Sequence, residues 1–567
     1  MESEIASPSL DSDVMAQFWD LLTIETIVKI LAVLSIVHVA SHIVYNLYLH
    51  PLSKYPGPFL GRSTLLWRFY NVLGGRWHRH IDNLHKKYGP VVRVSPNELS
   101  FASIESWKDI YGHATGGRGT CVKSEFYDVF GGGFNSSCIG SERNPKEHGR
   151  MRKALSNAFS TKSLLEQEKV VNENVDAFIK RLGADGGPGT KGLNMTIWFE
   201  MIAFDILGEM SFGESFGSVA QGYPHFWSQT FTEHLFAITV IDMLRRYRFF
   251  MALGKLLLPL TMSLREKHTQ LSRDKVARRL ESSSSRADFM SLLINKVRTG
   301  EMDMEELTAH ASTLTLGSVA GGETVATFLA SATYYLLNSP VALAQLQTEI
   351  RTAFKTYDEI NATRAQQLPY LQAVIAEGLR MHPPGSRGFP RVSPGTQISG
   401  HYIPAGVEVY TSAWTMTHDE KYFHDPFNFK PERWIDPECK DIKEASQPFS
   451  LGPRGCIGKN FAYLEVNLIL AKMLWAYDME LINKELDWEG SSHEHVMWSK
   501  PGIFVAFKPI DRSGTLLPVG KYRSPFAVNC AAGISQTETD SFNIFKNIEF
   551  SNEFPALDRK VDRVFNA

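Results

Sequence analysis

The amino-acid sequence predicts a mainly α-helical protein with a minor β region, preceded by one membrane-spanning helix. Apolar residues recur at helical spacing through most of the stretch from Arg143 to Leu337, which predicts a body of packed helices. Short strand-like runs at Val91–Val94 and Val407–Thr411 predict a few strands. A long apolar segment near the start, residues 24–49, predicts the membrane helix.

The composition is that of an ordinary globular protein, and it excludes several other classes. The chain has 567 residues, of which 43% are hydrophobic and 21% are charged. A formal net charge of -2 gives no electrostatic basis for binding nucleic acid, so no nucleic-acid partner is expected. The five cysteines are scattered and odd in number, which argues against a disulfide scaffold and fits a reducing compartment.

Residues 24–49 are interpreted as a transmembrane anchor. The cleanest part, Ile30–Leu49, is about 30 Å long as a helix, which matches the apolar core of a bilayer. Polar residues interrupt the segment at Lys29, His38, His42 and Asn46. A buried or interfacial helix is therefore the alternative. A cleaved signal peptide is disfavoured because the preceding residues are acidic and no small-residue cleavage site follows.

Charges on the two sides of the anchor predict its orientation. Residues 1–23 contain neither lysine nor arginine, whereas basic residues are frequent after the anchor. The positive-inside rule therefore makes residues 1–23 luminal and the bulk of the chain cytoplasmic. Residues 50–58 form a proline-rich hinge, Tyr55-Pro56-Gly57-Pro58 included, which would hold the body close to the membrane.

The predicted globular body covers residues 59–511. Within it, the glycine-rich stretch 183–192 and the serine run 282–285 are typical of loops between helices. The stretch 512–567 is polar, turn-rich and weakly patterned, and it is interpreted as a C-terminal tail with no assigned role.

A long helix is predicted from Asp303 to about Asn338, with Asp303 and Glu306 forming a capping box at its start. Its middle reads Ala320-Gly321-Gly322-Glu323-Thr324. Each glycine inside a helix costs about 1 kcal/mol relative to alanine, which suggests a purpose such as a bulge that opens space for a small ligand. The alternative is a pair of packing glycines beside a solvated acid.

The strongest local signal is the loop Phe449-Ser450-Leu451-Gly452-Pro453-Arg454-Gly455-Cys456-Ile457-Gly458, which an apolar helical run follows. At the start of a helix, free N–H groups and the helix dipole are expected to lower the pKa of the Cys456 thiol. The resulting thiolate would bind a metal. Gly452 and Gly455 would permit turns of unusual φ. The alternative is an inert, buried cysteine after a turn.

This loop matches Phe-x-x-Gly-x-Arg-x-Cys-x-Gly at every fixed position, and by it the chain resembles the cytochrome P450 family. The resemblance covers roughly residues 55–506 and implies the cytochrome P450 fold around haem b, with Cys456 as the axial ligand of the iron. Phe449 would shield the sulfur, Arg454 would reach a carboxylate of the haem, and Gly458 would let the flat cofactor approach closely.

The segment around Thr324 resembles the family motif Ala/Gly-Gly-x-Asp/Glu-Thr, which lies over the haem. The resemblance implies that Gly321 lies against the cofactor, that Thr324 hydrogen-bonds dioxygen and that Glu323 helps to relay protons. Cleavage of the O–O bond requires two protons at the distal oxygen, so such a pair fits the chemistry.

The haem propionates need cationic or hydrogen-bonding partners. His148 and Arg152 lie four residues apart on a predicted helix, where the family often has Trp-x-x-x-Arg, and His148 replaces the tryptophan. Arg391, in Phe389-Pro390-Arg391-Val392, matches a family arginine that reaches a propionate, and Arg454 is a further candidate. The alternative for His148 and Arg152 is a basic surface helix.

A structural ion-pair set is also implied by the resemblance. Glu377 and Arg380 lie three residues apart on a predicted helix and can pair on one face. In the family such a Glu-x-x-Arg pair joins an arginine from a segment like Phe429–Trp434, which here is Arg433. The role carried over to these three residues is structural.

The resemblance implies a haem-thiolate monooxygenase of the endoplasmic reticulum membrane that inserts one oxygen atom from O2. Electrons from NADPH are expected to arrive through a separate NADPH-cytochrome P450 reductase, because the stretch after Cys456 is too short for fused flavin domains, with cytochrome b5 as an optional second partner. Two alternatives stay open: a haem-thiolate isomerase or dehydratase that needs no O2, and a non-catalytic haem-binding protein.

The expected substrate is a lipophilic small molecule. By position, residues 120–135 and 212–257 would line its site. The local sequences Asp205–Gly208 and Ser211–Gly217 resemble those of filamentous fungal members of the isotrichodermin C-15 hydroxylase type. This resemblance implies a secondary-metabolite intermediate, namely a terpenoid, a polyketide or an alkaloid.

Overall fold

The structure is a computed structural model, and it describes residues 24–247, 266, 269–281, 288–315 and 321–510. The predicted luminal segment 1–23, the serine loop 282–285 and the tail 512–567 lie outside the described residues.

The described body is mainly helical, as the sequence predicts. Its helices are α1 (Ile24–Val44), α2 (Phe59–Ser63), α3 (Leu65–Leu73), α4 (Trp77–Tyr88), α5 (Ile104–Tyr111), α6 (Pro145–Ser156), α7 (Thr161–Asp185), α8 (Met195–Phe212), α9 (Ser218–Gln221), α10 (Phe226–Leu244), α11 (269–281), α12 (Phe289–Arg298), α13 (Met304–Thr315), α14 (Gly322–Leu337), α15 (Pro340–Ala353), α16 (Ala362–Ala365), α17 (Pro369–Met381), α18 (Ala413–His418), α19 (Lys459–Ala476) and α20 (Trp488–Ser491).

The minor β region forms three sheets. Its strands are β1 (Val91–Ser95), β2 (Glu98–Phe101), β3 (Val122–Lys123), β4 (Leu193–Asn194), β5 (Arg391–Ile398), β6 (His401–Thr411), β7 (Tyr477–Leu481), β8 (His493–His495), β9 (Met497–Ser499) and β10 (Phe504–Pro509). The order is β1-β2-β6-β5-β3 in the largest sheet, β4-β10-β7 in the second and β8-β9 in the third. Both predicted strand-like runs are confirmed, within β1 and β6.

The N-terminal helix exposes its apolar side chains. None of the residues of α1 is buried, and a π-helical turn, Tyr45–Leu49, continues it. The combined segment Ile24–Leu49 is long and apolar enough to cross a membrane. The apolar side chains of α1 gain no burial from the protein body, so a bilayer is the environment that would cover them.

Two apolar helices, α8 and α14, pack against each other in the interior. Almost every residue of α8 is buried, and so is most of α14. A helix that is apolar on all sides has no solvent face to present, so it belongs in the core. This pair positions the Gly321–Thr324 segment inside the molecule.

The predicted long helix from Asp303 is described as two helices, α13 and α14, with residues 316–320 between them outside the described residues. Asp303 caps α13 by accepting a hydrogen bond of 2.6 Å from the Glu306 N–H. The Glu306 carboxylate, however, bonds with Arg150 at 2.9 Å, so the predicted reciprocal half of the capping box is wrong. A charged partner across helices outcompeted the local backbone donor.

The loop predicted at residues 183–192 is shorter than expected, because α7 continues to Asp185. The Leu182 side chain is fully buried near that end, and this packing extends the helix past a glycine.

Candidate functional site: a thiol and a basic cluster around one cavity

The cysteine loop forms a tight turn before α19. Gly452–Arg454 is a 3-10 turn, and the Cys456 N–H donates to the Phe449 carbonyl at 2.9 Å. Gly452 has φ of +66°, a conformation that favours glycine, as predicted. Gly455 has φ of -60°, so its predicted need for unusual φ is wrong. A Cβ built at Gly458 would meet only the Cys456 sulfur, at 3.9 Å, which leaves that side open.

The Cys456 thiol is exposed to the cavity, yet protein surrounds it. Burial raises its pKa, and the N–H group of Gly458, Arg152 and Lys459 lower it only in part. The prediction that the helix start lowers the pKa of the Cys456 thiol is therefore wrong when only protein groups act on that thiol. A bound metal cation deprotonates a thiol by its own charge, and the helix start then assists.

The cavity that Cys456 borders has a volume of about 380 Å³. The residues that line it come from distant parts of the chain, including both predicted elements, the Thr324 helix and the cysteine loop. Apolar side chains supply much of the lining: Phe126, Phe130, Leu207, Val325, Phe328 and Met497. The predicted segment 120–135 is represented among them.

The cavity is not apolar throughout. The predicted segment 212–257 contributes Asp242 and Arg246, and residues 248–257 lie outside the described part of it. Arg246 pairs with Glu98 at 3.1 Å and also with Glu408, which lines the cavity. Pairing keeps these charges compatible with burial.

Basic side chains converge near the thiol. Arg152 donates to the Gly455 carbonyl at 2.6 Å, and Arg454 donates to the carbonyls of Glu142 and Arg143, each at 2.7 Å. Arg391 donates to the Tyr127 hydroxyl at 2.8 Å. All three arginines line the cavity, as do Phe449 and Gly458.

His148 is buried and lines the same cavity. Burial and then the charges of Arg454 and Lys123 lower its pKa to about 3, so the imidazole is neutral near pH 7. It can offer a hydrogen bond there, whereas the arginines offer charge.

Lys123 is a basic residue that sequence reasoning missed. Its Nζ donates to the carbonyls of Ile139 at 2.7 Å and Gly140 at 2.6 Å, and burial and then Arg391 lower its pKa to about 7. Lys123 is the β-bridge partner of Arg391, because β3 pairs with β5. The only sequence signal was a lysine in a short strand-like run, and the register was not readable from it.

Thr324 and Glu323 point in different directions. Thr324 and Gly321 line the cavity, and the Thr324 hydroxyl donates to the Gly321 carbonyl at 3.3 Å. The buried Glu323 carboxylate instead bonds with Lys500, and the Thr327 hydroxyl donates to it at 3.1 Å. Burial raises the pKa of Glu323 to about 7, although Lys500 opposes that effect.

The structure brings Glu377, Arg380 and Arg433 together in one buried set. Arg380 donates to Glu377 through Nε at 2.8 Å and Nη2 at 2.9 Å, and Arg433 Nε donates to it at 3.1 Å. Trp434 was not predicted, yet its indole N–H donates to the same carboxylate at 2.9 Å.

The residues present fit a haem. The cavity joins an accessible thiol, open space beside a glycine and a cluster of basic groups that repel one another. The thiol can bind iron, and the basic groups can pair with two propionates. Among the described residues, no other group of histidine, cysteine, aspartate and glutamate is arranged to hold a metal ion.

Comparisons with known proteins agree with this geometry. The family model described as Cytochrome P450 matches residues 53–507. The chain is 60% identical over 471 residues to the cytochrome P450 monooxygenase ORF9 of Penicillium roqueforti, covering 83% of this chain and 92% of that protein. It is 56% identical over 461 residues to BOT4 of Botryotinia fuckeliana, covering 81% and 87%, and 38% identical over 476 residues to BOA3 of the same species, covering 82% and 92%. The chain therefore belongs to the cytochrome P450 family and is a monooxygenase of the haem-thiolate type.

Proposed function

We propose that this monooxygenase binds haem b through Cys456 and inserts one oxygen atom from O2 into a lipophilic intermediate of fungal secondary metabolism. The observation that carries the proposal is a single cavity bordered by an accessible thiol and by a basic cluster. Iron accepts a thiolate ligand, and buried arginines hold carboxylates through charge-assisted hydrogen bonds.

Besides Cys456, three residues of the cysteine loop are proposed to hold the cofactor: Phe449, Arg454 and Gly458. Gly458 leaves room for the porphyrin plane. The Phe449 ring, at the start of the loop, packs near Tyr463, with 5.5 Å between the ring centroids. Arg454, Arg152 and Arg391 are the proposed partners of the propionates, with His148 as a neutral donor. Bound haem supplies O2 activation and the oxidation of a C–H bond.

Thr324 lines the same cavity, and the proposed role of its hydroxyl is to hydrogen-bond O2 and pass protons to it. The proposed proton source is Glu323, whose pKa is raised to about 7 by burial. A group of this kind can release and regain a proton under physiological conditions.

The electrons are proposed to come from NADPH through a separate membrane-bound reductase, with cytochrome b5 as an optional second donor. The exposed apolar helix α1 supports a membrane location. Together with the positive-inside rule, it supports an endoplasmic reticulum protein whose catalytic domain faces the cytoplasm.

The substrate is proposed to be a terpenoid, a polyketide or an alkaloid. Aromatic and aliphatic side chains line much of the cavity, which favours an apolar carbon skeleton. The likeness to fungal enzymes of the isotrichodermin C-15 hydroxylase type is part of this proposal.

The decisive experiment compares the full-length protein with Cys456→Ser. The wild type is expected to form a ferrous carbon monoxide complex with the red-shifted Soret band that gives the family its number, and the variant is expected to lose it. Cys439→Ser, at a partly exposed cysteine, is the matched control and should retain the band. A Cys456→Ser protein with an unchanged band would overturn the ligand assignment.

A second measurement addresses the reaction itself. With a reductase, NADPH and extracts of fungal metabolites, the enzyme should consume O2 and release a product that carries one atom from ¹⁸O2. Product formation without O2 would favour the isomerase or dehydratase alternative, and haem binding without turnover of any extract would favour the non-catalytic one.

A further inference from the structure

The buried Lys500 pairs with Glu323, the acidic residue at the start of α14, and neither of these side chains lines the cavity. Lys500 lies in the loop between β9 and β10, 177 residues from Glu323 in the sequence. Its ammonium group bonds with the Glu323 carboxylate, donates to the Thr327 hydroxyl at 3.2 Å and pairs with Glu200 at 3.3 Å. One cation is thus shared between two carboxylates.

Hydrogen bonds fix the loop that carries Lys500 to the start of α8, the helix that carries Glu200. The Thr196 hydroxyl donates to the Pro501 carbonyl at 2.8 Å, and the Met195 N–H donates to the Ile503 carbonyl at 2.7 Å. Since α8 also packs against α14, the three charged groups are held by elements in mutual contact. Their arrangement is therefore a property of the folded core.

Glu200 is the most exposed of the three charged groups. The side chain of Lys500 is 2% exposed and that of Glu323 is 7% exposed, whereas that of Glu200 is 19% exposed. Glu200 is consequently the member of the set that meets solvent. A proton that reaches Glu323 from the Glu200 side would not pass through the cavity. This route would keep bulk water away from the reacting atoms.

Burial and the charges of the set together shift the pKa of Glu323. Burial raises its pKa most, Lys500 lowers it and Glu200 raises it. Burial lowers the pKa of Lys500, but both carboxylates together raise it by more, so that lysine stays an ammonium ion. Among the described residues, Lys500 also acts on His382: burial and then Lys500 lower the pKa of His382 to about 3, which leaves it neutral.

We propose that Lys500 is a positioning residue for proton delivery, which orients Glu323 and, together with Glu200, connects it to solvent. The Glu323 carboxyl gives one proton toward the Thr324 hydroxyl, and solvent returns one proton to the carboxylate at the Glu200 side. Lys500 keeps its charge throughout, so the step needs no additional reactant. This inference rests on the proposed function, because it assigns the source of protons for the same site.

The test is a pH titration of Glu323 in the full-length holoenzyme by infrared spectroscopy. The carbonyl band of its protonated carboxyl is identified by its loss in Glu323→Gln. Lys500→Met should move the midpoint to higher pH by about 1 unit or more, because the buried acid loses its cation. Glu200→Gln should move the midpoint to lower pH, because a neighbouring negative charge is removed. Opposite shifts show that both charges act on Glu323, and the turnover measurement separates proton delivery from a merely structural ion pair.

Lys500→Arg should keep the wild-type midpoint. Lys472→Met is the matched control, since Lys472 is also 2% exposed and pairs with a partly exposed acid, Asp176. Its removal should leave the Glu323 band unchanged. Unchanged midpoints in both Lys500→Met and Glu200→Gln, or shifts in the same direction, would overturn the inference.

Turnover adds a second readout. The fraction of NADPH electrons recovered in product should fall as pH rises through the Glu323 midpoint, because the step needs the protonated acid, and this fall should follow each variant's midpoint. In a Glu323→Gln background, Lys500→Met should add no further pH shift. The two proposals fail differently: a wild type without the thiolate spectrum contradicts the proposed function, whereas a normal spectrum with fixed midpoints contradicts the role of Lys500.

Discussion

The basic side chains at the cavity lower one another's affinity for protons. The pKa of Lys123 falls to about 7, and that of Arg454 falls to about 10, through burial and through the charge of Arg391. Two carboxylates placed among them would relieve both the repulsion and the desolvation. At the residue scale, the cluster is therefore better suited to a bound dianion than to an empty core.

We expect Lys123→Met to weaken haem binding by about tenfold or more, the effect of losing a hydrogen bond from a charged donor. The measurement is the haem-to-protein ratio after gel filtration, together with the rate of haem transfer to a scavenger protein. Lys146→Met is the control, because Lys146 is exposed on α6. Equal haem retention in the two variants would show that Lys123 does not contribute to cofactor binding.

We expect Thr324→Ala to separate electron use from product formation. Without the hydroxyl in the cavity, O2 should be reduced to peroxide or water, and product per NADPH should fall several-fold. Thr324→Ser retains a hydroxyl and should remain close to the wild type. Unchanged coupling in Thr324→Ala would exclude the hydroxyl from proton transfer.

At the scale of elements, one carboxylate ties α17 to the segment before the cysteine loop. Glu377 is completely buried and accepts from Arg380, Arg433 and Trp434. Arg380 continues the connection, since its Nη1 donates to the carbonyls of Thr417 at 2.8 Å and Pro426 at 2.7 Å. The set joins segments that no covalent bond brings together.

Glu377→Gln should therefore destabilise the fold by about 3–5 kcal/mol, because it leaves the buried Arg380 without its counter-ion and leaves Arg433 paired with Asp441 alone. Thermal unfolding followed by circular dichroism and by the Soret band measures the loss. Glu444→Gln provides the control, since Glu444 is 69% exposed and pairs with Lys108 at 3.6 Å. A surface pair of this kind contributes little, so its removal should leave unfolding unchanged.

At the scale of the molecule, the exposed apolar helix α1 and the body meet at a defined point. The Asn46 side chain donates to the Ser63 carbonyl at 2.9 Å, and Arg93 donates to the Asn46 carbonyl at 2.7 Å. Leu52 and Tyr55 are buried in the core, with exposures of 0% and 3%. The predicted hinge is thus packed into the body, and the free helix ends before Asn46.

Two truncations test this boundary. Removal of residues 1–44 should leave the carbon monoxide spectrum and the unfolding temperature unchanged, while the protein becomes extractable from membranes by salt without detergent. Removal of residues 1–55 should also destabilise the body, by about 2–5 kcal/mol for each buried side chain lost. Equal stability of the two products would contradict a boundary at Asn46.

The sequence by itself determined the parts of the protein whose signals are local. The cysteine loop, the apolar anchor, the order of the motifs and the mainly helical class all depend on residues that are close together in the chain. Glycine at Gly452 is one example, because the positive φ that the turn requires is a property of that position alone.

Only the tertiary structure decided which distant side chains complete the site. Lys123 reached the cavity through the pairing of β3 with β5, and Lys500 reached Glu323 through a loop bonded to α8. The tertiary structure also reversed the expected direction of the pKa shift of the Cys456 thiol, because the effect of burial is larger than that of the helix start. Burial and the proximity of charges depend on how distant parts of the chain pack together, so neither can be predicted from the local sequence.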